Sequence, residues 1–252
     1  MPLTDLFLLA AAGLAAGLVN AVAGGGTFFT FPALLTVGLP AVAANATSAF
    51  SLGPGSLASA LAYRSEIAKY YRRFLVLGAL SLGGSVLGAL LLLRFENEAF
   101  NRLVPYLLLA ATLLFALNPY LSRRFKQAGT GGGKAQRWGG WGLQFLTAIY
   151  GGFFGAGMGI IMLGSLTLLE GDDYHRVNAA KNLLALLIKL SALLLFVFAG
   201  IIAWPQAAVL TVASVTGGYL GVAVAKRVPL AWVRGFVILV GSLLTLRYFL
   251  AT

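Results

Sequence analysis

Apolar residues run in long, nearly unbroken stretches, at about residues 5-37, 42-63, 74-93, 103-121, 138-169, 177-198, 207-225 and 233-250. Most of these match the ~20 residues that one membrane-crossing helix needs, so the pattern predicts an all-α polytopic membrane protein. Segments 5-37 and 138-169 are too long for one helix. Each carries glycines in mid-stretch, Gly24-Gly25-Gly26 in one and Gly155, Gly157 and Gly159 in the other, where a continuous helix is disfavoured. Composition agrees. Of 252 residues, 60% are hydrophobic and 10% charged, too little polar surface for a soluble globule. The net charge of +11 would suggest a nucleic-acid partner in a soluble protein, but here the charges fall in short gaps between apolar runs, so no nucleic acid is called for. The chain has no cysteine and one histidine, which excludes a disulfide framework and Cys-rich metal sites. Asp5 precedes the first apolar stretch and no Lys or Arg does, so a cleavable signal peptide is not expected and the N-terminus reads as mature protein.

The chain repeats itself. Displaced by 133 positions without a gap, Gly24 falls on Gly157, Gly26 on Gly159, Gly38 on Gly171, and Asn45-Ala46 on Asn178-Ala179. Further on, Ser81, Gly84, Leu87, Gly88 and Arg94 fall on Ser214, Gly217, Leu220, Gly221 and Arg227. One register across glycines, asparagines and arginines marks a duplication. The expected organisation is a first repeat at 1-121, a linker at 122-137 and a second repeat at 138-252.

Loop charge orients the halves. The gap 64-73 holds Arg64, Lys69, Arg72 and Arg73 against Glu66; 122-137 holds five basic residues; 226-234 holds Lys226, Arg227 and Arg234. These are expected inside. The gaps 94-102, balanced in charge, and 199-206, uncharged, are expected outside. Repeat mates then face opposite ways, which requires an odd number of crossings per repeat. Segments 42-63, 74-93 and 103-121 supply three, so 5-37 must return to the side it entered from. Two full crossings need ~40 residues. The expectation is therefore two inverted-topology repeats, each with a glycine-broken first helix, re-entrant or discontinuous, followed by three spanning helices. The competing arrangement has eight ordinary crossings in parallel repeats and leaves the basic gap 226-234 outside.

A helix starting after a mid-membrane break turns unsatisfied N–H groups and its positive dipole end inward, which suits an anion. Gly24, Gly25, Gly26, Gly157 and Gly159 are the candidate backbone donors, with close helix packing as the alternative use of the same glycines. The next helix in each half carries a polar stripe. In the first half it holds Asn45, Ser48, Ser56, Ser59 and Tyr63, with Thr47 beside it as a further candidate contact; in the second, Asn178, Lys181, Asn182 and Lys189. The register places Lys181 on Ser48 and Lys189 on Ser56. These are the only ionisable side chains deep in a predicted span, and Lys189 lies about 18 Å of helix from the start of its segment. A lysine there costs about 2.5 to 3.5 kcal/mol on insertion scales unless it meets a partner or a wet cavity. No intramembrane carboxylate is predicted to pair with it. Bound anion, backbone carbonyl or trapped water are the remaining partners, and both asparagines are equally compatible with interhelical hydrogen bonding.

Other features carry less. Gly84-x-x-x-Gly88 and Gly217-x-x-x-Gly221 read as packing seams, and Arg94 and Arg227 as interface anchors. The run 129-134, Gly-Thr-Gly-Gly-Gly-Lys, lacks the spacing, the following hydroxyl and the strand of a phosphate loop, so it reads as linker. His175 beside Asp172 and Asp173 reads as a solvated turn. No nucleophile–base pair, paired carboxylates, metal-ligand set or cofactor motif is present, so no catalytic residue is expected.

The run from Gly17 through Gly24-Gly25-Gly26, Pro32, Leu34, Gly38, Ala44, Thr47-Ser48 to Tyr63 resembles the TauE/SafE sulfite-exporter family of membrane transporters. Gly155 to Gly159, Gly171 and Asn178 look like a second copy. The resemblance implies transport of small sulfur-containing anions such as sulfite, sulfonates or related organic acids across a bacterial or archaeal cytoplasmic membrane, in a direction that varies among members. Two departures bear on the substrate. Ala180-Lys181 stands where a hydroxyl pair like Thr47-Ser48 is expected, and Met158 interrupts the second glycine run. The expectation is a secondary transporter with a midplane anion site working by alternating access, with a small anion and the lipid bilayer as partners. An anion channel or a non-transporting accessory subunit are the alternatives, and oligomeric state, direction and coupling ion are left open.

Overall fold

A computed structural model describes residues 1–22, 25–128, 134–170, 173–225 and 230–251. Among them all regular structure is helical: α1 Leu3–Val22, α2 Thr27–Thr36, α3 Ala41–Ser51, α4 Gly53–Ala62, α5 Arg64–Arg94, α6 Asn97–Ala128, α7 Lys134–Phe153, α8 Met158–Glu170, α9 Tyr174–Phe198, α10 Trp204–Ala225 and α11 Leu230–Ala251. Five stretches of the described residues are long and apolar enough to cross a membrane: Leu3–Asn20, Arg64–Arg94, Asn97–Leu121, His175–Phe198 and Trp232–Leu250. Many large apolar side chains on them are exposed, Phe7, Leu75, Leu194 and Leu239 among them. That is the surface a lipid phase covers rather than water.

Three boundaries differ from the hydropathy reading. The stretch 42-63 forms two helices meeting at Leu52, because Gly53-Pro54 follows and Pro54 brings no N–H to bond back into α3. The basic stretch 64-73, expected as a loop, forms the first turns of α5. It holds no Gly or Pro, and its Lys, Arg and Glu are good helix formers. The balanced stretch 94-102 is likewise helical from Asn97. Of the linker expected at 122-137, residues 129-133 lie outside the described residues and the rest belongs to the ends of α6 and α7; Gly24, Gly171, Lys226 and Arg227 lie outside them too.

Contact pairs fix the relative directions of the helices. A Cβ built on Gly13 would meet Ala213, and one on Gly17 would meet Gly218, so α1 and α10 advance together. α5 and α7 do the same, with Gly84 against Phe145 and Ala148, and Gly88 against Ile149 and Phe153. At Gly17, Gly88, Gly152 and Gly217 any side chain would collide with a backbone carbonyl of the facing helix. The Gly84-x-x-x-Gly88 seam and Gly217 thus act as sites of close approach, as their spacing suggests. α6 and α11 run in opposite directions: Tyr106 packs on Phe249, while Thr112 meets Gly241. α2 opposes α3, with Gly26 near Leu52 and Thr30 bonded to Ser48. α8 opposes α9, with Glu170 paired to Arg176 at one end and Met158 and Ile188 both against Gly151 at the other.

Candidate substrate site

The two helix interruptions come together in the interior. A Cβ on Gly25 would lie 3.1 Å from Phe115 Cζ of α6, and one on Gly157 would lie 3.6 Å from Phe115 Cε2. Phe31 of α2 meets Phe154 edge-on, with ring centroids 5.5 Å apart. The second interruption is built from local hydrogen bonds. The N–H groups of Phe154 and Gly155 both return to the Tyr150 carbonyl at 2.8 and 2.9 Å, ending α7. Gly155 and Gly157 have φ of 77° and 73°, the left-handed region in which a side chain is strained. The Tyr150 hydroxyl donates to the Ala156 carbonyl at 2.6 Å and fixes the loop. α8 then begins with the N–H groups of Gly157 and Gly159 bonded to no backbone carbonyl among the described residues.

The equivalent positions of the two halves differ in crowding. At Gly26 an added Cβ would lie 3.0 Å from both the Ala16 carbonyl and Leu52 Cδ2, whereas at its mate Gly159 nothing lies within 4 Å. Ala185, the mate of Leu52, is too short to fill the corresponding space.

The polar stripe on α3 is largely occupied by protein. Ser48 and Thr30 are fully buried and share a 2.6 Å hydrogen bond. Thr47 accepts from the Ala203 N–H at 3.1 Å, tying α3 to the start of α10. Asn45 Nδ2 donates to the Phe153 carbonyl at 2.7 Å, the last carbonyl of α7, and its Oδ1 is buried without a hydrogen-bond partner among the described residues. Thus a side chain of the first half satisfies the helix end at the second interruption.

The stripe on α9 is different. Asn178 is buried. Lys181 and Asn182 are half-buried and make no hydrogen bond among the described residues. Lys189, also half-buried, donates to Ser56 Oγ at 2.7 Å. Its neighbour Ile188 packs on Gly151 beside Met158, so this part of α9 stands level with the start of α8. The Ser85 hydroxyl of α5 donates to the Ile188 carbonyl at 2.6 Å and holds that turn. Lys189 and Ser56 are repeat mates, 133 residues apart, so each half brings the same position to this contact. Among the described residues no carboxylate pairs with Lys189: the recorded ion pairs join Glu170 to Arg73 and Arg176.

Asn20 and Glu170 had no signal in sequence, and Asp173 was read there only as part of a solvated turn. Asn20, in the last turn of α1, has its Nδ2 3.8 Å from where a Cβ on Gly55 would stand, next to Ser56. Glu170 is 7% exposed and pairs with Arg176 Nε at 3.1 Å and Arg73 Nη1 at 3.9 Å. Burial raises its pKa and the two arginines oppose the rise. Asp173 caps α9, accepting from the His175 and Arg176 N–H groups at 3.1 Å, and these bonds lower its pKa. The acidic turn around His175 therefore serves as a helix start. No group of three or more His, Cys, Asp or Glu able to hold a metal occurs among the described residues.

The comparisons with known proteins agree with a transport protein. A "Probable membrane transporter protein" of Haemophilus influenzae is 27% identical over 249 residues, covering 95% of this chain and 92% of that protein. The "Probable membrane transporter protein YfcA" of Escherichia coli K12 is 26% identical over 241 residues, covering 91% and 84%. The "Probable membrane transporter protein ORF9" of a Sinorhizobium species is 28% identical over 227 residues, covering 90% and 84%. No solved structure matches the chain. The family model described as "Sulfite exporter TauE/SafE" matches residues 9–248, nearly the whole chain. This multi-pass membrane protein therefore belongs to the TauE/SafE family of membrane transporters, a family of carriers and not of enzymes.

Proposed function

We propose that the chain carries small anions, with sulfite, sulfonates and related sulfur-containing organic acids as the substrate class, across the cytoplasmic membrane of a bacterium or archaeon. It does so by alternating access in two inverted repeats, 1-121 and 138-252, joined by a cytoplasmic linker. The glycine-interrupted segments re-enter the membrane, and the site lies where they meet α9. The opposed run of α6 and α11 supports the inverted arrangement: they are repeat mates, and an axis relating two opposed helices is perpendicular to both. The crosswise pairing of α1 with α10 and of α5 with α7 is what a two-fold relation between the halves gives. A contact between mates, such as Lys189 with Ser56, sits on such an axis.

The observation that carries the anion reading is Lys189. Its Cα lies about 22 Å along α9 from Tyr174 and about 13 Å from Phe198. A serine hydroxyl supports its ammonium and no carboxylate among the described residues balances it. A charge so placed is stabilised by a counter-ion, and the unpaired N–H groups at the start of α8 add donors at the same level. Gly25, Gly26, Asn45, Thr47 and Ser48 shape the wall and fix the interruptions. Gly24, which lies outside the described residues, completes the set of candidate residues. Gly157, Gly159, Asn178 and Lys189 line the site, and Lys181 and Asn182 lie on its approach.

The test is a thermal-shift series on purified protein with sulfite, alkyl sulfonates, carboxylates and an organic cation, repeated on Lys189→Ala. Ligand selective for the folded state raises the midpoint. Stabilisation by sulfite or sulfonate, lost in Lys189→Ala, is the expected result. Stabilisation by the cation alone refutes the reading.

A further inference from the structure

The duplicated halves are unequal on one path, and the difference points to a second anion position. Lys181 and Lys189 are eight residues apart on α9, about 12 Å of rise. Where both stems follow the lean of the helix toward its N-terminus, the two ammonium groups stand at separate levels along α9, and a small anion seated on Lys189 leaves Lys181 for a second position. Lys181 stands about 10 Å from the start of α9, the end that also gathers Arg73, Arg176 and the basic first turns of α5.

The repeat mate of Lys181 is Ser48, and the mate of Asn182 is Ala49. Ser48 is fully buried and occupied by Thr30 at 2.6 Å. The mate of Thr30 is Leu163, which offers Lys181 no hydrogen bond. Lys181 and Asn182 are half-buried and unpartnered among the described residues. The path from Lys189 toward the opposite face thus runs past a closed hydroxyl pair, and the path toward the basic face past a free ammonium and a free carboxamide. Nothing in helix packing requires this, since a serine fills the same position in the other half.

We infer that Lys181, with Asn182, forms a second anion subsite on the cytoplasmic side of the Lys189 site, occupied by the substrate in the cytoplasm-facing state and absent from the outward path. The inference rests on the reading of Lys189 as the central anion site. Its consequence is that apparent affinity is sided. An anion arriving from the cytoplasm meets two successive cations, and one arriving from outside meets Lys189 alone.

The test uses right-side-out and inside-out membrane vesicles containing the full chain, with radiolabelled sulfite as the probe and an alkyl sulfonate as competitor. Lys181→Ser installs the residue of the repeat mate. It is expected to raise the cytoplasmic-side KM about tenfold, equivalent to about 1.4 kcal/mol, and to leave the external KM within about twofold. Lys181→Arg is expected to retain the low cytoplasmic KM, and this separates loss of charge from loss of fold. An equal rise on both sides places Lys181 in the central site and overturns the inference, as does no change on either side. Lys189→Ala distinguishes the two levels: if it leaves both KM values unchanged, the central reading fails. If it raises both while Lys181→Ser changes neither, the subsite alone fails.

Discussion

The unequal crowding at Gly26 and Gly159 gives a prediction in which stability and binding separate. Both are glycines at the start of a helix after an interruption, and both have negative φ. In Gly26→Ala the new methyl would lie 3.0 Å from the Ala16 carbonyl and 3.0 Å from Leu52 Cδ2. Leu52 can rotate away, but the carbonyl belongs to the α1 backbone and can yield only if α1 and α2 separate. Overpacking of this kind costs about 1–3 kcal/mol, or about 2–4 °C of melting temperature per kcal/mol in a chain of this size. In Gly159→Ala the methyl meets nothing within 4 Å, so stability stays within about 0.5 kcal/mol of the parent. That methyl does enter the space in front of the unpaired N–H groups of α8. Loss of one hydrogen bond to a charged ligand, about 1.5–3 kcal/mol, weakens binding by about 10- to 150-fold. Thermal unfolding in detergent measures the first quantity, and sulfite or sulfonate titration by calorimetry the second. The expected outcome is an unstable Gly26→Ala and a stable, poorly binding Gly159→Ala. A Gly159→Ala protein with unchanged affinity would falsify the assignment of the α8 start as an anion seat. A Gly26→Ala protein as stable as the parent would refute the packing argument.

Gly88→Ala forces a methyl into the Ile149 carbonyl and is expected to cost more than about 1 kcal/mol, while Gly83→Ala, with nothing within 4 Å, leaves the melting temperature unchanged; parallel melts of the two compare them directly. Asn45→Ala removes the donor to the Phe153 carbonyl and leaves a buried acceptor at the end of α7, for an expected loss of about 1–3 kcal/mol by denaturant titration. Glu170→Ala strands Arg176 beside Tyr70, whose ring lies 5.7 Å away, and should show as faster hydrogen exchange at the start of α9. Asp173 has a folded pKa below its ordinary value, so its contribution is present at neutral pH and lost as pH falls through the folded pKa. Melting temperature on acidification should therefore fall more steeply in the parent than in Asp173→Asn, which keeps the cap without the titration.

The sequence alone determined what depends on order along the chain. Lengths of apolar stretches set the membrane environment and the helices, because burying backbone polar groups in lipid leaves little besides helix. Gly25-Gly26 and Gly155 to Gly159 stand where helices of the long stretches end and restart, since glycine weakens a helix wherever it falls, and the ungapped register of glycines, asparagines and arginines points to a duplication. The Gly53-Pro54 step could have warned that 42-63 is two helices, but hydropathy averages over such a step. Tertiary structure decided which polar side chains remain free. Asn45 and Ser48 looked alike to Lys181 and Asn182 on a helical wheel, yet Asn45, its neighbour Thr47 and Ser48 are taken by Phe153, Ala203 and Thr30, while Lys181 and Asn182 make no hydrogen bond among the described residues. Those partners lie as far as 156 residues away. Whether a donor is satisfied depends on what the fold brings within about 3 Å of it, and no local pattern carries that distance.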